Sequence, residues 1–182
     1  MSSGSSAAVR SYMVLTAAGP DRPGLVEKVS SLLHRAGANL EDSRMAILGG
    51  EFALILLFTG SAATIATVSK EGQALAAELD LTLSLRETRQ RTQLSDFIAY
   101  QLRVSGLDRP GIVAQVSSLL AGRKINVATL ESRVEYAPLS GTPMFHLSAA
   151  LQVPSQLSLS SLRGDIASLC EQENLDFQLD SR

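Results

Sequence analysis

Each half of the chain shows the same succession of apolar patterns, first a run typical of a strand and then the spacing typical of a helix. Short apolar runs at Tyr12–Ala18 and Tyr100–Ser105 end at a glycine, which is typical of strands. Apolar residues at helical spacing follow each run; these are Val26, Val29, Leu32, Leu33 and Ala36 in the first half, and Val113, Val116, Leu119 and Leu120 in the second. The spacing predicts a strand followed by a helix in each half.

A hairpin comes next. In the first half Gly49-Gly50 is a predicted two-residue turn between strands at Leu40–Leu48 and Glu51–Phe58. The second half has a longer tip with the sequence PLSGTP at 138–143. Each half thus continues from its helix into two antiparallel strands.

A second helix and a last strand complete each half. The helices are predicted from Ala62 to Leu79 and around Leu159, Leu162, Ile166 and Leu169, and the strands at Leu81–Leu85 and Leu175–Leu179. The order is βαββαβ twice. We therefore predict an α+β fold of two ferredoxin-like domains, each an antiparallel four-stranded sheet with two helices on one face.

The two halves are also similar in sequence. GPDRPGLVEKVSSLL at 19–33 returns as GLDRPGIVAQVSSLL at 106–120, and twelve of twenty-one positions match between 19–39 and 106–126. The second copy then needs two extra residues before Asp42-Ser43-Arg44 meets Glu131-Ser132-Arg133. Two copies are too few for a solenoid, so we predict two domains, at 10–89 and 98–182, with a flexible arm at 1–9 and a linker at 90–97 that overlaps the polar stretch 86–96.

The ends of the first helix of each copy are predicted from single residues. Pro23 and Pro110 are expected in the first helical turn, where proline is favoured. Gly37 stands where a left-handed cap ends the first helix. Lys124 stands at the matching place in the second copy, so we expect that helix to end differently.

The strand Glu51–Phe58 is apolar on both faces after its first residue. A sheet with helices on one face normally alternates apolar and polar residues. We therefore expect another domain or subunit to cover the face of this sheet that carries no helices. The alternative is an apolar strand whose exposure is small.

The DRPG loops join a strand to a helix N-terminus, where unpaired amides and the helix dipole favour carboxylates and phosphates. Gly24 and Gly111 would let a ligand approach the backbone. Asn39 and Asn126, just after the helix, would supply a donor and an acceptor near the same edge. Together these groups are suited to a free amino acid.

A purely structural role for the same loops is the alternative. Asp21 or Asp108 would then cap the helix or hold the turn, proline and glycine would shape the turn, and Arg22 and Arg109 would point into solvent. Duplication preserves a fold as readily as a site, so the residues alone leave both interpretations open.

Composition excludes several classes of function. The chain has 182 residues with a formal net charge of −2, 4% aromatic residues and no Trp, which argues against nucleic-acid binding. Hydrophobic residues make up 45%, without a run long enough for a membrane span. Cys170 is the only cysteine and lies in an apolar helical pattern, so we expect a core thiol and a cytoplasmic location.

Catalytic and metal chemistry are not supported either. His34 and His146 have no cysteine or carboxylate cluster at a metal-like spacing. No nucleophile elbow, P-loop or dinucleotide fingerprint is present. We expect no enzyme activity, no cofactor and no metal.

D-R-P-G-[LI]-V, an apolar helix and an Asn that opens the next strand resemble the ACT domain, a small regulatory module that commonly binds amino acids. NLEDSRMAILGGEF at 39–52 resembles, more specifically, the glycine cleavage system transcriptional repressor family. This resemblance implies a homo-oligomeric protein of two ACT domains that contacts a separate transcriptional activator, without direct DNA binding, under the control of glycine or another amino acid. It also implies two ligand-binding sets: Asp21, Arg22, Pro23, Gly24, Leu25 and Asn39, and Asp108, Arg109, Pro110, Gly111, Ile112 and Asn126.

Two other functions compete with an amino-acid sensor. In one, the loops are structural and the chain is an unliganded assembly module that regulates a metabolic enzyme in trans. In the other it is an enzyme or part of one, although no residues remain for a catalytic domain.

Overall fold

The computed structural model describes residues 10–89 and 96–181. The chain divides into two compact units, Met1–Thr92 and Gln93–Arg182. The predicted arm at 1–9 and most of the predicted linker lie outside the described residues. Within the polar stretch 86–96, Arg86 and Thr88 belong to a strand, and Phe97, which we assigned to the linker, begins the next one.

The first unit has the predicted order βαββαβ. Its elements are β1 (Ser11–Pro20), α1 (Leu25–Arg35), β2 (Asn39–Leu48), β3 (Glu51–Gly60), α2 (Ala62–Leu79) and β4 (Thr82–Thr88). The strands form an antiparallel sheet in the order β2-β3-β1-β4. Helical spacing predicted the bounds of α2, and the Gly49-Gly50 turn predicted where β2 ends and β3 begins.

The second unit repeats this order. Its elements are β5 (Phe97–Leu107), α3 (Ile112–Gly122), β6 (Asn126–Tyr136), β7 (Pro143–Pro154), α4 (Leu159–Glu173) and β8 (Leu175–Ser181). The sheet order is β6-β7-β5-β8, again antiparallel. Both units are therefore ferredoxin-like, as predicted.

Each unit has its own core between the sheet and its two helices. In the first unit Leu15, Phe52 and Phe58 are almost completely buried and pack with Val29 and Val68 of the helices. In the second, Leu102, Leu120, Leu151, Leu162 and Leu179 are almost completely buried. A core of this kind stabilises each unit independently.

Strand pairing corrects our alignment of the two copies. Asn39 pairs with Thr59 and Asn126 with Gln152, and both second strands shift register immediately afterwards. The copies therefore keep one offset of 87 residues, from Gly19/Gly106 through Asn39/Asn126 to the ends of β2 and β6. No residues are inserted before Glu131, which is equivalent to Arg44; the extra residues lie at the tip of the second hairpin.

The first helix of each unit begins later than predicted. Helix α1 starts at Leu25 and α3 at Ile112, so Pro23 and Pro110 precede the helices and do not lie in their first turn. The residue before each helix is a glycine in the left-handed region, with φ 92° at Gly24 and 100° at Gly111. Proline accounts for the approach to this turn, and glycine for the turn itself.

The same two helices end alike, contrary to our expectation for Lys124. Gly37 has φ 73° and Lys124 has φ 57°. In each case the next amide donates to the carbonyl oxygen five residues earlier in the chain, from Ala38 N to Leu33 O at 2.9 Å and from Ile125 N to Leu120 O at 3.0 Å. This is a Schellman motif in both copies, and Lys124 adopts the left-handed conformation without being glycine.

Strand β3 has one buried face and one open face. Phe52, Leu54, Leu56 and Phe58 are buried toward the helices. On the other face Ile55 is 46% exposed and Leu57 is half-buried.

Among the residues that the structure describes, no helix combines the length and hydropathy needed to span a bilayer.

Candidate functional site

The DRPG loop of each unit lies beside the tip of that unit's hairpin. The Asp21 amide donates to Gly50 O at 2.9 Å, and the Asp108 amide donates to Pro143 O at 3.0 Å. These bonds extend the pairing of the central strand with β3 or β7 by one residue. The hairpin therefore fixes where the loop leaves the sheet.

The helices that follow these loops have no side-chain cap. The first helical bond of α1 joins Lys28 N to Gly24 O, and among the described residues no side chain caps the helix that begins after Gly24 or the one that begins after Gly111. By contrast, Ser61 caps α2 and Ser158 caps α4. Asp21 and Asp108 therefore do not cap these helices, and that part of the structural alternative is wrong. First-turn amides without a cap are available to an external acceptor.

Glycine is required in the loops by backbone conformation. A Cβ built on Gly24 or Gly111 meets no atom within 4 Å, so the absence of a side chain does not relieve crowding within the unit. The positive φ values at both positions are those that L-residues adopt only with strain. This requirement accounts for the repeated glycine whether or not a ligand approaches.

The loop arginines bond within their own units. Arg22 Nη2 donates to the carbonyl oxygen of Leu79, the last residue of α2. Arg109 Nη2 lies 3.1 Å from Glu173 Oε2, at the equivalent last residue of α4. A cation at a helix C-terminus also opposes the negative end of the helix dipole. Neither side chain simply points into solvent.

The first glycine of each repeated segment is explained by close packing. A Cβ on Gly19 would lie 2.5 Å from Asp80 O, and one on Gly106 would lie 2.6 Å from Leu175 Cδ2. The chain leaving the second helix passes directly over this glycine in both units. The DRPG loop and the end of the second helix are therefore joined at two points, the glycine and the arginine.

A pocket of about 710 Å³ opens beside the first DRPG loop. Its lining is Asp21, Arg22, Pro23, Gly24, Leu25, Val26, Glu27, Ser30, Met45, Ile47 and Phe52. One side carries the uncapped turn of α1, and the other carries Met45 and Ile47 from the edge strand β2, both about half exposed. Glu27, whose carboxylate accepts from Ser31 Oγ at 2.7 Å, adds a negative charge.

The loop of the second unit has different neighbours at equivalent positions. The constant offset places Ser132 where the first unit has Met45, Val134 where it has Ile47, and Ala114 where it has Glu27. Ile112, which we named as a site residue, is almost completely buried, as is its equivalent Leu25. The second loop therefore keeps the backbone geometry, but it has neither the carboxylate of Glu27 nor the long side chain of Met45.

Asn39 and Asn126 do not lie near the loops, contrary to our expectation. Each opens an edge strand at the end where the first helix finishes, whereas the DRPG loop lies at the end where that helix begins. Nine strand steps of about 3.3 Å put them about 30 Å from the hairpin tip of their own unit. Asn39 Nδ2 donates to Glu41 Oε1 at 2.8 Å, and Asn126 Nδ2 donates to Gln152 Oε1 at 2.6 Å.

Sequence reasoning missed the wall formed by β2. Met45 and Ile47 alternate with polar or small residues, and the Gly49-Gly50 turn returns the chain beside Pro20. Alternation alone shows that the two side chains share a face. Combining it with the position of the turn would have placed them beside the loop.

Cys170 lies in the core, as predicted, and both histidines are at least partly exposed. Cys170 is buried in the second core, and burial, followed by the nearby charge of Asp176, raises the pKa of its thiol. His34 lies on the exposed side of α1, and His146 Nε2 lies 3.7 Å from Glu135 Oε2. No group of three potential metal-binding side chains is found in the described ranges.

Comparison with known proteins matches this architecture. Two family models described as the ACT domain match residues 11–86 and 100–155. The glycine cleavage system transcriptional repressor of Escherichia coli (strain K12) is 29% identical over 163 residues, which cover 90% of this chain and 86% of the relative.

Solved structures give the same result. A crystal structure of a protein from Galdieria sulphuraria, described as unknown, is 29% identical with a TM-score of 0.81 and covers 96% of this chain and 99% of that one. Another, provisionally named as a glycine cleavage system transcriptional repressor, is 28% identical with a TM-score of 0.71 over 94% and 97% of the two chains. The chain is thus a tandem ACT-domain protein, similar over most of its length to the glycine cleavage system transcriptional repressor.

Proposed function

We propose that this chain is a cytoplasmic regulatory protein that responds to an amino acid, with glycine the first candidate, and acts by contacting another protein. The observation that carries this proposal is the uncapped first turn of α1 facing the pocket beside its DRPG loop. In the same fold both second helices are capped by serine. The absence of a cap is therefore particular to the loops.

The pocket offers groups for both ends of an amino acid. The amides of Leu25 and Val26 would receive the carboxylate, aided by the helix dipole. The carboxylates of Asp21 and Glu27 line the same pocket and would receive the ammonium group. In the second unit Asp108 repeats Asp21, while Ala114 replaces Glu27, so we expect weaker binding there.

The remaining site residues take different roles in this proposal. Pro23 with Gly24, and Pro110 with Gly111, shape the turn, while Arg22 and Arg109 hold it to the second helix. Asn39 and Asn126 would take part only where a neighbouring unit, of the same chain or of a second one, meets the loop, because within each unit they lie at the far end of the sheet. The exposed edge strand β2 provides unpaired backbone groups for a homo-oligomer.

Relatives named as transcriptional repressors support regulation of transcription. The net charge of −2 supports action through a protein, such as a transcriptional activator, over direct binding of nucleic acid. Binding of the amino acid would have to favour one arrangement of the contact surface over another.

A second function is favoured by one set of observations. Gly19, Arg22 and Gly24 each have a structural role inside the unit, so the repeated segment is explained without a ligand. In that case the chain would be an unliganded assembly module that regulates a metabolic enzyme in trans.

Thermal denaturation with a panel of amino acids separates the two functions. A ligand at one hundred times its Kd stabilises the folded state by about 2.7 kcal/mol. Asp21→Asn and Glu27→Gln keep shape and remove charge, so each should reduce the response to glycine; Glu71→Gln, on the exposed side of α2, is the matched control. If no amino acid raises Tm, the sensor proposal fails and the assembly module takes its place.

A further inference from the structure

The open face of the first sheet carries a second pocket, away from the DRPG loop. It has a volume of about 270 Å³ and is lined by Val14, Asp42, Ser43, Arg44, Ile55, Leu57, Thr88 and Arg89. Its floor is formed by Val14 and Leu57, which are paired across β1 and β3, and by Ile55 on the same face. These side chains alternate with the buried ones that face the helices.

The second unit shows that the fold does not require an apolar floor. Pairing with the central strands makes Gln101 the equivalent of Val14, Ser148 the equivalent of Ile55, and Ala150 the equivalent of Leu57. In the second unit Gln101 Nε2 donates to Ser148 Oγ at 2.9 Å across this face. The same sheet therefore folds with polar residues at these positions, so folding alone does not account for the apolar floor of the first unit.

The rim of this pocket is positively charged. Arg44 forms an ion pair with Asp42, and the Arg44 and Ser43 contacts lower the pKa of the Asp42 carboxyl. These two charges offset each other. Arg89 adds a further positive charge to the lining, and Thr88 adds a hydroxyl group. An anionic group is therefore complementary to the rim.

The size of the surface indicates a small molecule as the occupant. Stable protein interfaces bury about 800 Å² on each partner, from roughly 20–30 residues. Three apolar side chains, with Ile55 only 46% exposed, fall far below this. Small-ligand sites instead combine an apolar lining with a few placed polar groups, and the volume of about 270 Å³ is close to the lower end of their range, which begins at about 300 Å³.

We propose that this pocket binds a small carboxylic acid with an apolar body. The apolar body would lie on Val14, Ile55 and Leu57, and the carboxylate would lie at Arg89 and Thr88. This inference is independent of amino-acid binding at the loop, because it needs no ammonium group and uses no loop residue.

Amide chemical shifts of the ¹⁵N-labelled full chain test the proposal with 4-methylpentanoate as probe. We expect concentration-dependent shifts at residues 14, 55, 57 and 88, and at least about tenfold weaker binding of the neutral 4-methylpentanamide. Shifts confined to residues 21–27, or equal binding of the acid and the amide, would overturn it.

The second unit supplies the matched variant. Val14→Gln, Ile55→Ser and Leu57→Ala together install its residues, which this fold tolerates, and should remove the probe-induced shifts while the circular dichroism spectrum is kept. Met45→Ser makes the same kind of exchange at the loop pocket and should leave probe binding unchanged. A change of sedimentation coefficient in the triple variant alone would show a protein interface on this face and overturn the proposal. If glycine fails to raise the Tm of the unmodified protein while the probe still binds, the result counts against the loop site and not against this pocket.

Discussion

Arg22 donates a hydrogen bond to the carbonyl oxygen of Leu79, so the DRPG loop is fastened to the last residue of the second helix. Arg109 reaches the equivalent position in the other unit through Glu173. Two different chemical partners thus hold the same two elements together. A loop fixed in this way keeps its amides in place before a ligand arrives, which lowers the cost of ordering them on binding.

Replacing Arg22 by Ala should destabilise the first unit by about 1–3 kcal/mol, because it leaves a part-buried helix-terminal carbonyl without its charged donor. Urea denaturation measures the change. Lys70→Ala, on the exposed side of α2, should change the free energy of unfolding by about 0.5 kcal/mol or less. Equal effects of the two substitutions would contradict a fastening role for Arg22.

A double-mutant cycle of Arg109→Ala and Glu173→Ala should give a coupling free energy of about 0.5–1 kcal/mol. Both side chains are partly exposed, so solvent screens the pair. Raising the salt concentration should reduce the coupling. A coupling of zero at low salt would show that the contact does not contribute to stability.

Gly24→Ala should destabilise the protein by about 1–2 kcal/mol, since alanine pays the cost of φ 92° although its Cβ meets no neighbour. Gly164→Ala is the control of opposite sign. Gly164 lies within α4 with open space around it, so alanine there should stabilise by about 0.5–1 kcal/mol. Thermal unfolding of both variants should show Tm shifts in opposite directions.

Lys124→Gly should stabilise the second unit by about 0.5–1 kcal/mol, because glycine occupies φ 57° without strain. Gly37→Lys makes the reverse exchange at the equivalent position and should destabilise the first unit. Chemical denaturation with matched buffers measures both. The prediction fails if Lys124→Gly lowers the midpoint.

The pKa of Glu78 is lowered by its hydrogen bond from Lys28, 2.8 Å away, with the charge of Lys28 adding to the effect. A carboxyl whose folded pKa is depressed contributes stability above its unfolded pKa, and this is lost as pH falls through the folded value. NMR titration in acid should therefore show the Glu78 pKa rising in Lys28→Met. An unchanged value would mean that the pair is not formed in solution.

Periodicity predicted the elements because their apolar positions face one core. The bounds of α2 and the Gly49-Gly50 turn follow directly from helical spacing and from a two-residue hairpin. The conformations of Gly24 and Lys124 did not follow, because a left-handed residue leaves no periodic signal and Lys124 is not a residue type that marks it.

The placement of Asn39 and the alignment of Arg44 failed for geometric reasons. Nearness in sequence to the helix end does not reveal which end of a strand a residue occupies. A shift of two residues along a strand keeps every side chain on its own face. The right and the wrong alignment therefore give each side chain the same face of the sheet. Only strand pairing shows that the residue equivalent to Arg44 is Glu131 and not Arg133.

The uninterrupted offset of 87 residues makes the two units interchangeable by segment. Any cut between Ser11 and Leu48 in one copy corresponds to a single cut in the other, at the same depth in the same strand or helix. Hybrid domains spliced anywhere in this interval would keep their register without loop adjustment. The duplicated chain thus carries a built-in set of crossover points for exchanging the wall of one loop pocket for that of the other.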